Sequence, residues 1–589
     1  MKCRPHLVSR FPLKLAVGYT PGMSMSQFCC LVVASAVAGA VLAGCAPSAA
    51  PQAPASTAAP TSVATAGNAG ATSQSAAAGP HDLADDVFER TSITTLTLEI
   101  APVEWAKLAE NTREYVRCRL LEKEGQSWRD VAVKLKGAAG SFRELDDKPA
   151  FTLNMAKFQN KQSFHGLQKF HLNNSVQDET YLQEWLCAGL FRSAGVAAPR
   201  VAHARVILND RELGLYVLKE GFDRKFIARH FAADDGNLYD GGFCQDIDVD
   251  LERDAGKGVD DFSDLHALCE ACRQAGPEQH WPQIAQQLDV DAFLTFAAIE
   301  LMTGHWDGYC REKNNYRLYF DAASHKAYFL PHGMDQMFGD PGASILERPE
   351  AIVATAVMQN PEWRAQFRDR IRKLLPLFDP PDKLLSQVDR MEQRVRPVLE
   401  EIDPPQADVC AERVNDLRER LAARAANLRE QSEQPDPPPP RPLEFSDEAG
   451  IELADWQPAS ESEDAIVEVI ELPDDRAAYL IRCGPGGQCI ASWRRTVLLS
   501  RGTYRLIASA ATTDVAPLTD EKGAGAGLRI SGSSREGGLK GTANGGPLEY
   551  RFAITADEQQ VTLVAELRAT AGQVQFDTRS MRLFRDVEE

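Results

Sequence analysis

The chain has 589 residues, of which 44% are hydrophobic and 25% are charged, so its apolar content is ample for more than one folded core. Its formal net charge is −20 and its pI is near 5.1. Nucleic-acid backbones select basic surfaces, so this charge argues against a nucleic acid as partner. We therefore expect an acidic protein of roughly two or three domains.

The N-terminal segment 1–45 resembles a bacterial lipoprotein signal peptide. An apolar run from residue 28 to 43 leads into Cys45, and this run falls short of the roughly 20 apolar residues that cross a bilayer. We predict that Cys45 becomes the lipidated first residue of an exported protein, which touches the membrane only through that anchor. Met23 and Met25 are alternative start residues. Basic residues precede the run at Lys2, Arg4, Arg10 and Lys14.

Two segments of biased composition divide the rest of the chain. Residues 46–90 are mostly Ala, Pro, Ser, Thr and Gly, which bury too little surface to fold, so we predict a disordered linker. Residues 433–443 are rich in proline and predict a stiff spacer. The folded parts are therefore expected at 91–432 and 444–589.

Within 91–432, alternation of apolar and polar residues predicts strands, and a spacing of three to four residues between apolar side chains predicts helices. Strands come first, then a helix over 177–194, then strands again, and after these a mainly helical part. This is the order of elements in a bilobal protein kinase. The predicted strands are 93–100, 130–136, 150–155, 204–208 and 214–219. The further predicted helices are 261–272, 290–303, 361–375, 381–398 and 406–429.

The helical part is interrupted by one predicted β-hairpin, over 315–330, with polar residues at its base. Asp307, Asn314 and Asn315 precede or begin the hairpin, and Asp335 follows it. Kinase-like sites use one Asp to accept the proton of the attacking hydroxyl, and an Asn and a second Asp before Phe-Gly to hold divalent metals. Because a hairpin brings its two ends together, this pattern predicts a site for phosphoryl transfer.

These motifs together resemble the spore-coat protein H (CotH) kinase family of secreted atypical kinases, over about residues 91–432. The resemblance implies a protein-kinase-like fold, ATP with Mg²⁺ or Mn²⁺, and phosphorylation of Ser or Thr hydroxyls on an exported protein. It implies Asp307 as catalytic base. Asn314 or Asn315, with Asp335, would be the metal ligands. The motifs are 136–141, 214–223, 236–239, 305–307, 314–316 and Asp335 before Phe338-Gly339.

The resemblance also implies residues that bind the nucleotide. In the loop after Lys136, Gly137, Gly140 and Ser141 would let main-chain N–H groups approach phosphate. Lys148 would neutralise phosphates and pair with Glu184 on the predicted helix, as a lysine–glutamate pair does in kinases. Lys134 or Lys136 are the alternatives to Lys148.

Three further positions bear on the nucleotide and on activity. Glu220 follows a predicted strand where a kinase hinge meets adenine. The run His332-Gly333-Met334-Asp335 lacks the first acid of the family's usual motif, and Asp240 follows Tyr239 where the family usually has Lys. Because of these departures, a kinase of reduced activity and a pseudokinase are the alternatives to a fully active kinase.

Residues 444–589 show short alternating strands, such as 496–499 and 502–508, that are separated by Gly-rich turns. This pattern predicts an all-β sandwich that is similar to carbohydrate-binding jelly rolls. Trp493 is the aromatic candidate for stacking on a glycan, against the alternative of a core residue. Cys483 and Cys489 predict a disulfide in an exported chain. The fold class is therefore α+β, and the expected function is an exported kinase. The alternative is a pseudokinase-like envelope scaffold or a carbohydrate-binding adhesin.

Overall fold

The computed structural model describes residues 82–586, so the predicted signal segment, Cys45 and most of the predicted linker lie outside it. Two compact units divide the described chain: one ends at Asp436 and the other begins at Pro437. Gaps in the description fall at 124, 139, 258–260, 274–276, 348, 438–440, 446–449, 463, 473–475, 488, 519–523 and 535–537.

The first described residues are folded, although the predicted linker extended to residue 90. A short helix, α1, spans Asp85–Phe88. Ala84 and Val87 are buried in the apolar core that also fills the neighbouring barrel. Two apolar side chains thus fix this segment, and the folded unit begins earlier than composition predicted.

Seven strands form a closed barrel in the order β1-β2-β3-β4-β5-β7-β6. Neighbouring strands are antiparallel except at the closure, where β1 runs parallel to β6. The strands predicted in this region are confirmed, whereas the closure was not foreseen. The barrel strands are β1 Thr94–Glu99, β2 Val116–Glu122, β3 Ser127–Lys136, β4 Ala150–Asn154, β5 Lys169–Asn173, β6 Val201–Leu208 and β7 Arg211–Glu220.

The alternation of side chains along β5 and β7 separates an apolar inner face from a polar outer face. Leu172 and Leu218 are buried in the barrel core. His171 and Lys219 pair across the two strands on the other face. This polar face matters because it carries the residues of the site described below.

Two helices accompany the barrel strands, α2 over Pro102–Glu110 and α3 over Gln183–Ser193. The predicted helix 177–194 begins later than expected because the Asp178 carboxylate accepts the main-chain N–H groups of Thr180 and Gln183. These bonds hold the preceding residues in a turn, as an Asp near a helix N-terminus commonly does.

A four-stranded sheet, in the order β11-β10-β8-β9, contains the predicted hairpin. Its strands β10 and β11 are antiparallel, and Tyr316 at the start of one lies opposite Pro331 at the end of the other. The two chain segments that flank the hairpin therefore leave the sheet side by side. The four strands are β8 Asn237–Asp240, β9 Glu252–Ala255, β10 Tyr316–Phe320 and β11 Ala327–Pro331.

The remainder of this unit is helical, as predicted, and it shares one large apolar core. The helix Val290–Met302 is buried on nearly every side, which explains its continuous apolar sequence. Within the described residues, no helix has the length and apolar character to cross a membrane. The helices are α4 Arg224–His230, α5 Ser263–Arg273, α6 Pro277–Gln287, α7 Val290–Met302, α8 Tyr309–Glu312, α9 Ile352–Gln359, α10 Pro361–Leu374, α11 Asp382–Ile402 and α12 Pro404–Glu433.

The C-terminal unit consists of strands around an apolar core of its own, apart from a 3₁₀ turn at Thr578–Ser580. The predicted strands there fall within observed ones, and with the first unit they confirm the α+β class. Two predicted neighbours, the short strands 496–499 and 502–508, are parts of one long strand. The strands are β12 Ile451–Glu452, β13 Gln457–Ser460, β14 Ile466–Leu472, β15 Arg476–Arg482, β16 Cys489–Pro517, β17 Gly525–Ile530, β18 Gly541–Asp577 and β19 Arg582–Arg585.

The structure bears on two expectations for the C-terminal unit: it selects the core alternative for Trp493, and it shows no bond between Cys483 and Cys489. Trp493 is only 3% exposed, donates its indole N–H to the carbonyl of Leu480 at 3.2 Å and packs on the Tyr479 ring, so it is a core residue that offers no face to a glycan. Cys483 and Cys489 are unbridged, so the predicted disulfide is not formed in this structure.

Candidate active site

The hairpin β10–β11 brings the predicted base and metal ligands to one end of the sheet. The main-chain N–H of His332 donates to the carbonyl of Asn315 at 2.9 Å, which extends the hairpin by one further contact. The segment that carries Asp335 therefore starts beside the segment that carries Asn314 and Asn315. The hairpin thus places His332, three residues before Asp335, beside Asn315.

Asp307 is held by both asparagines. The Asn314 amide donates to one carboxylate oxygen at 2.9 Å, and the Asn315 amide donates to the other at 2.8 Å. Burial raises the pKa of Asp307 to about 6, although these two amides favour its charged form. Both asparagines thus orient Asp307 through their nitrogens, and each keeps a carbonyl oxygen that can act as a metal ligand.

The loop after Asp307 is held in place by Glu300 on α7. Its buried carboxylate accepts the main-chain N–H groups of Tyr309 at 2.7 Å and Cys310 at 2.8 Å. Gly308 is required at this point, because a Cβ there would lie 2.4 Å from a Glu300 carboxylate oxygen. Burial raises the pKa of Glu300 to about 7. Sequence analysis missed this residue, which lies in an apolar helix.

The predicted pair of Lys148 with Glu184 is wrong. Lys148 donates to the Tyr181 hydroxyl at 3.2 Å and lies over the rings of Tyr181 and Tyr216. Glu184 instead forms a fully buried salt bridge with Lys219 at the end of β7. Lys148 belongs to the turn before β4, whereas Lys219 lies on the polar face of the barrel that α3 covers.

A hydrogen-bonded network continues from Glu184. Its second carboxylate oxygen accepts the Asn173 amide at 2.6 Å, and the Asn173 carbonyl in turn accepts the Lys136 ammonium. Burial alone would raise the pKa of Glu184, but Lys219 and Lys136 hold it below its ordinary value. Lys136, one of the alternatives to Lys148, therefore reaches Glu184 only through Asn173.

His332 joins the two halves of the site. The Lys219 ammonium donates to its Nδ1 at 2.9 Å. Burial, with Lys219 next, holds the pKa of His332 well below its usual range, so the imidazole is neutral and accepts at Nδ1. With the bond from His332 to Asn315, a continuous chain of contacts runs from Asp307 to Glu184.

Asp335 lies near the Glu184 end of this chain. Burial raises the pKa of Asp335 to about 6, and the neighbouring carboxylates of Glu184 and Asp178 add to the rise. Among the described residues, no group of three or more His, Cys, Asp or Glu side chains is arranged to hold a metal ion. The side chains of Asp335, Asn314 and Asn315 carry the oxygens that were predicted as metal ligands, and this role stays a prediction.

The loop after β3 has the backbone that its glycines predict. Gly137 and Gly140 have φ values of 102° and 81°, and a Cβ at Gly140 would lie 2.6 Å from the Gln177 amide nitrogen. The Ser141 hydroxyl accepts the main-chain N–H of Ala138 at 3.1 Å and so closes the loop on itself. The loop is thus internally braced, and whether it contacts phosphate stays a prediction.

Glu220 has no free acceptor for an adenine base. It is 3% exposed and forms a bidentate ion pair with Arg229 and a second pair with Arg200, at 2.6 Å and 2.8 Å respectively. These guanidinium groups hold the pKa of Glu220 below its ordinary value despite burial. The predicted contact with adenine is therefore replaced by a structural ion cluster.

Besides Glu300, the sequence pattern did not identify Lys219 and Asn173 as site residues, and it singled out His332 only as part of a departure from the family motif. The available signal was the alternation in β5, where Asn173 lies on the same polar face as Lys169 and His171, and the position of Lys219 directly after the apolar run 215–218 of β7. That pattern identifies the face on which a residue lies. It does not identify the helix that covers this face, so the partner of Glu184 could not be derived from it.

Comparisons with known proteins agree on one family. The family model described as CotH kinase protein matches residues 133–428, about half of the chain. Spore coat protein homolog 1 of Rhizopus delemar is 25% identical over 235 residues, which cover 34% of this chain and 37% of that protein. Inner spore coat protein H of Bacillus subtilis is 22% identical over 263 residues, which cover 41% of this chain and 72% of that protein.

Two further similarities are more limited. Invasin CotH7 of Rhizopus delemar is 25% identical over 34% of this chain, and the match spans 38% of that protein's length. A solved carbohydrate-binding module, TmCBM61 in complex with β-1,4-galactotriose, covers 22% of this chain at 14% identity with a TM-score of 0.14. That score is too low to support an inference about the C-terminal unit. The family match and its relatives show that the chain belongs to the CotH kinase protein family.

Proposed function

We propose that this chain transfers the γ-phosphoryl group of ATP to Ser or Thr hydroxyls of an exported protein. One observation supports this most strongly. Asp307, braced by two asparagines, is connected through Asn315 and His332 to a buried lysine–glutamate pair. A base and a phosphate-neutralising lysine, held in one network, are the parts that phosphoryl transfer needs.

In this proposal Asp307 accepts the proton of the attacking hydroxyl. A pKa of about 6 leaves it ionised at neutral pH while close enough to that pH for proton transfer. The amides of Asn314 and Asn315 contact both carboxylate oxygens, so they limit its rotation. Such restraint favours a productive orientation toward the acceptor.

Lys219 would bind the phosphates of ATP. Its ammonium group is fully buried and restrained by Glu184 and the neutral His332. A lysine that is already oriented by a glutamate loses little freedom when a phosphate oxygen becomes its further partner. Lys136 adds a second positive charge to the same network.

The donor set fits Mg²⁺ or Mn²⁺ that arrives with the nucleotide. Such ions prefer oxygen ligands and commonly bind through one or two carboxylates, phosphates and waters. Asp335 and the carbonyl oxygens of Asn314 and Asn315 would hold the ion. When bound, it would neutralise the charge on the transferred phosphoryl group.

The acceptor and the location follow from indirect support. Relatives of this chain are named as spore coat proteins and invasins, which favours a place in the cell envelope. The lipoprotein-type signal with Cys45 agrees with export and a lipid anchor. We therefore propose an exported protein as substrate, while the chain spans under two fifths of the Rhizopus proteins' length.

A second candidate function is a scaffold with a pseudokinase fold. It is favoured by Asp335 being the sole carboxylate of the segment 332–338, and by the engagement of Lys219 with His332. Both features would weaken binding of a metal–nucleotide complex. The burial of Trp493 removes the aromatic contact on which the adhesin alternative relied.

The test is transfer of γ-labelled phosphate by the protein from residue 82 onward, in Mn²⁺ or Mg²⁺, to itself or to a generic protein acceptor. Asp307→Asn should lower transfer by roughly a hundredfold to ten-thousandfold, which is the usual contribution of a positioned base. Asp321→Asn is the matched control, because Asp321 lies at the opposite end of the same hairpin. Transfer that survives in Asp307→Asn, or that disappears equally in both variants, would contradict the proposal.

A further inference from the structure

A buried arginine of α12 is bonded to main-chain carbonyls instead of a carboxylate. Arg424 is 1% exposed and forms no salt bridge with any described residue. Burial lowers the pKa of its guanidinium to about 10. A buried charge that relies on carbonyls is costly unless many hydrogen bonds satisfy it, so its bonding pattern carries information.

The carbonyls belong to two segments that are far apart in sequence. On one side the guanidinium donates to Leu301 at 2.7 Å and to Met302 at 3.0 Å, in the last turn of α7. On the other side it donates to Pro341 at 3.1 Å and to Ala343 at 2.5 Å. The first segment continues directly to Asp307, and the second follows Asp335.

A second arginine on the same helix adds a parallel connection. Arg420, one turn before Arg424, donates to the carbonyl of Phe338 at 3.1 Å. The main-chain N–H of Phe338 donates to the carbonyl of Thr303 at 2.9 Å. The segments that carry the two aspartates are thus joined directly to each other and jointly to α12.

We propose that Arg424, supported by Arg420, is a positioning residue that fixes the separation of Asp307 from Asp335, and so sets the affinity of the site for a divalent metal with ATP. This inference rests on the proposed function. A guanidinium carries five N–H groups in one rigid plane and can bridge both segments at once. A lysine has the charge but only three N–H groups on a single nitrogen, so it cannot reproduce the four main-chain contacts that Arg424 makes to the two segments.

The positive charge also suits the end of α7. The last turn of a helix leaves carbonyls without intrahelical partners and carries partial negative charge. Arg424 satisfies two of these carbonyls in the turn that leads to Asp307. Lysine would keep the positive charge at this helix end. Arg424→Lys therefore tests the loss of the guanidinium contacts to the two segments without a change in charge.

The experiment measures amide hydrogen exchange and Mn²⁺-dependent phosphate transfer in the full chain, for wild type, Arg424→Lys and Arg420→Lys. Arg413→Lys is the control, since Arg413 lies on the same helix, is exposed and pairs with Glu179. We expect Arg424→Lys to speed exchange about five- to thirtyfold in both 303–315 and 332–343, with the barrel strands unchanged. The Mn²⁺ concentration for half-maximal transfer should rise more than kcat falls.

Arg420→Lys, which loses one bond, should give the same changes to a smaller extent and keeps the test usable if Arg424→Lys does not fold. Faster exchange in one segment alone, or equally in the barrel, would overturn the proposal. The proposal would also be overturned if exchange became faster in both segments while the Mn²⁺ concentration for half-maximal transfer stayed unchanged. A wild type that neither binds nor turns over ATP with Mn²⁺ would overturn the proposed function, and the exchange arm then decides the coupling alone.

Discussion

Replacing Lys219 by Met should strongly destabilise the unit that ends at Asp436. The substitution leaves Glu184 buried with the Asn173 amide as its remaining direct partner in the described network. One amide and the more distant charge of Lys136 would replace only part of the hydration that the buried carboxylate has lost. Removal of one partner of a buried ion pair costs about 3–5 kcal/mol.

The structure predicts a different outcome when both charges are removed. In Lys219→Met combined with Glu184→Gln no buried charge is left from this pair, so the double variant should lose less than the sum of the two single variants. We expect a coupling free energy of roughly 2 kcal/mol or more, near the upper part of the range for residues in direct contact. Lys148→Met is the matched control. It should cost about 1 kcal/mol, because it loses one hydroxyl contact and two cation–π contacts.

Urea unfolding of the full chain, followed by circular dichroism and tryptophan fluorescence, would give these free energies. The C-terminal unit has its own core and serves as an internal reference. Additive costs of Lys219→Met and Glu184→Gln would refute the assigned pair. So would coupling of Glu184→Gln to Lys148→Met in place of Lys219→Met.

Three further predictions concern single carboxylates. The rate of phosphate transfer should rise as the pH increases through about 6 and level off above it, because Asp307 must be ionised to accept a proton. A rate that falls over this pH range would contradict the role of Asp307. The pKa of Glu300 in the folded protein is raised from 4.5 to about 7. Its contribution to stability is therefore fully present below pH 4.5 and is lost as the pH rises through 7. Over this window the free energy of unfolding should fall by at most about 1.4 kcal/mol per pH unit. Thermal unfolding between pH 5 and 8 should show that Glu300→Gln removes this slope. Glu220→Gln should lower the unfolding temperature and leave the affinity for ATP unchanged in calorimetric titration. A loss of ATP affinity with an unchanged unfolding temperature would instead support the predicted contact of Glu220 with adenine.

The parts of the fold that depend on local pattern could be predicted from sequence. The hairpin β10–β11 was recognised because alternating apolar residues on both sides of a short turn specify antiparallel pairing. The closed barrel was not recognised. Its closure joins β1 to β6 in parallel across about a hundred residues, and two strands of similar composition do not specify each other as partners.

The candidate site divides in the same way. Asp307, Asn314, Asn315 and Asp335 were predicted because one hairpin connects them, and the structure brings the first three into direct contact. The lysine partner of Glu184 comes from a strand 35 residues away and was assigned wrongly. Residues that meet through tertiary packing need the position of α3 against the barrel, which periodicity does not provide.

Burial decided the two assignments that relied on residue type. A glutamate at a strand end and a tryptophan in a β-rich region are each compatible with a ligand or with a core. Glu220 is enclosed by two arginines, and Trp493 packs on Tyr479. Neither partner adjoins its residue in sequence, so a single-sequence pattern could not separate these alternatives.

The most direct test of the proposed site is a crystal structure of the chain with Mn²⁺ and a non-hydrolysable ATP analogue, using anomalous scattering to locate the metal. We expect an anomalous peak bound by Asp335, with the phosphates contacting Lys219 and the terminal phosphate facing Asp307. A metal and nucleotide bound away from Asp335 and Lys219, or no binding to these residues at saturating concentrations, would contradict the central claim.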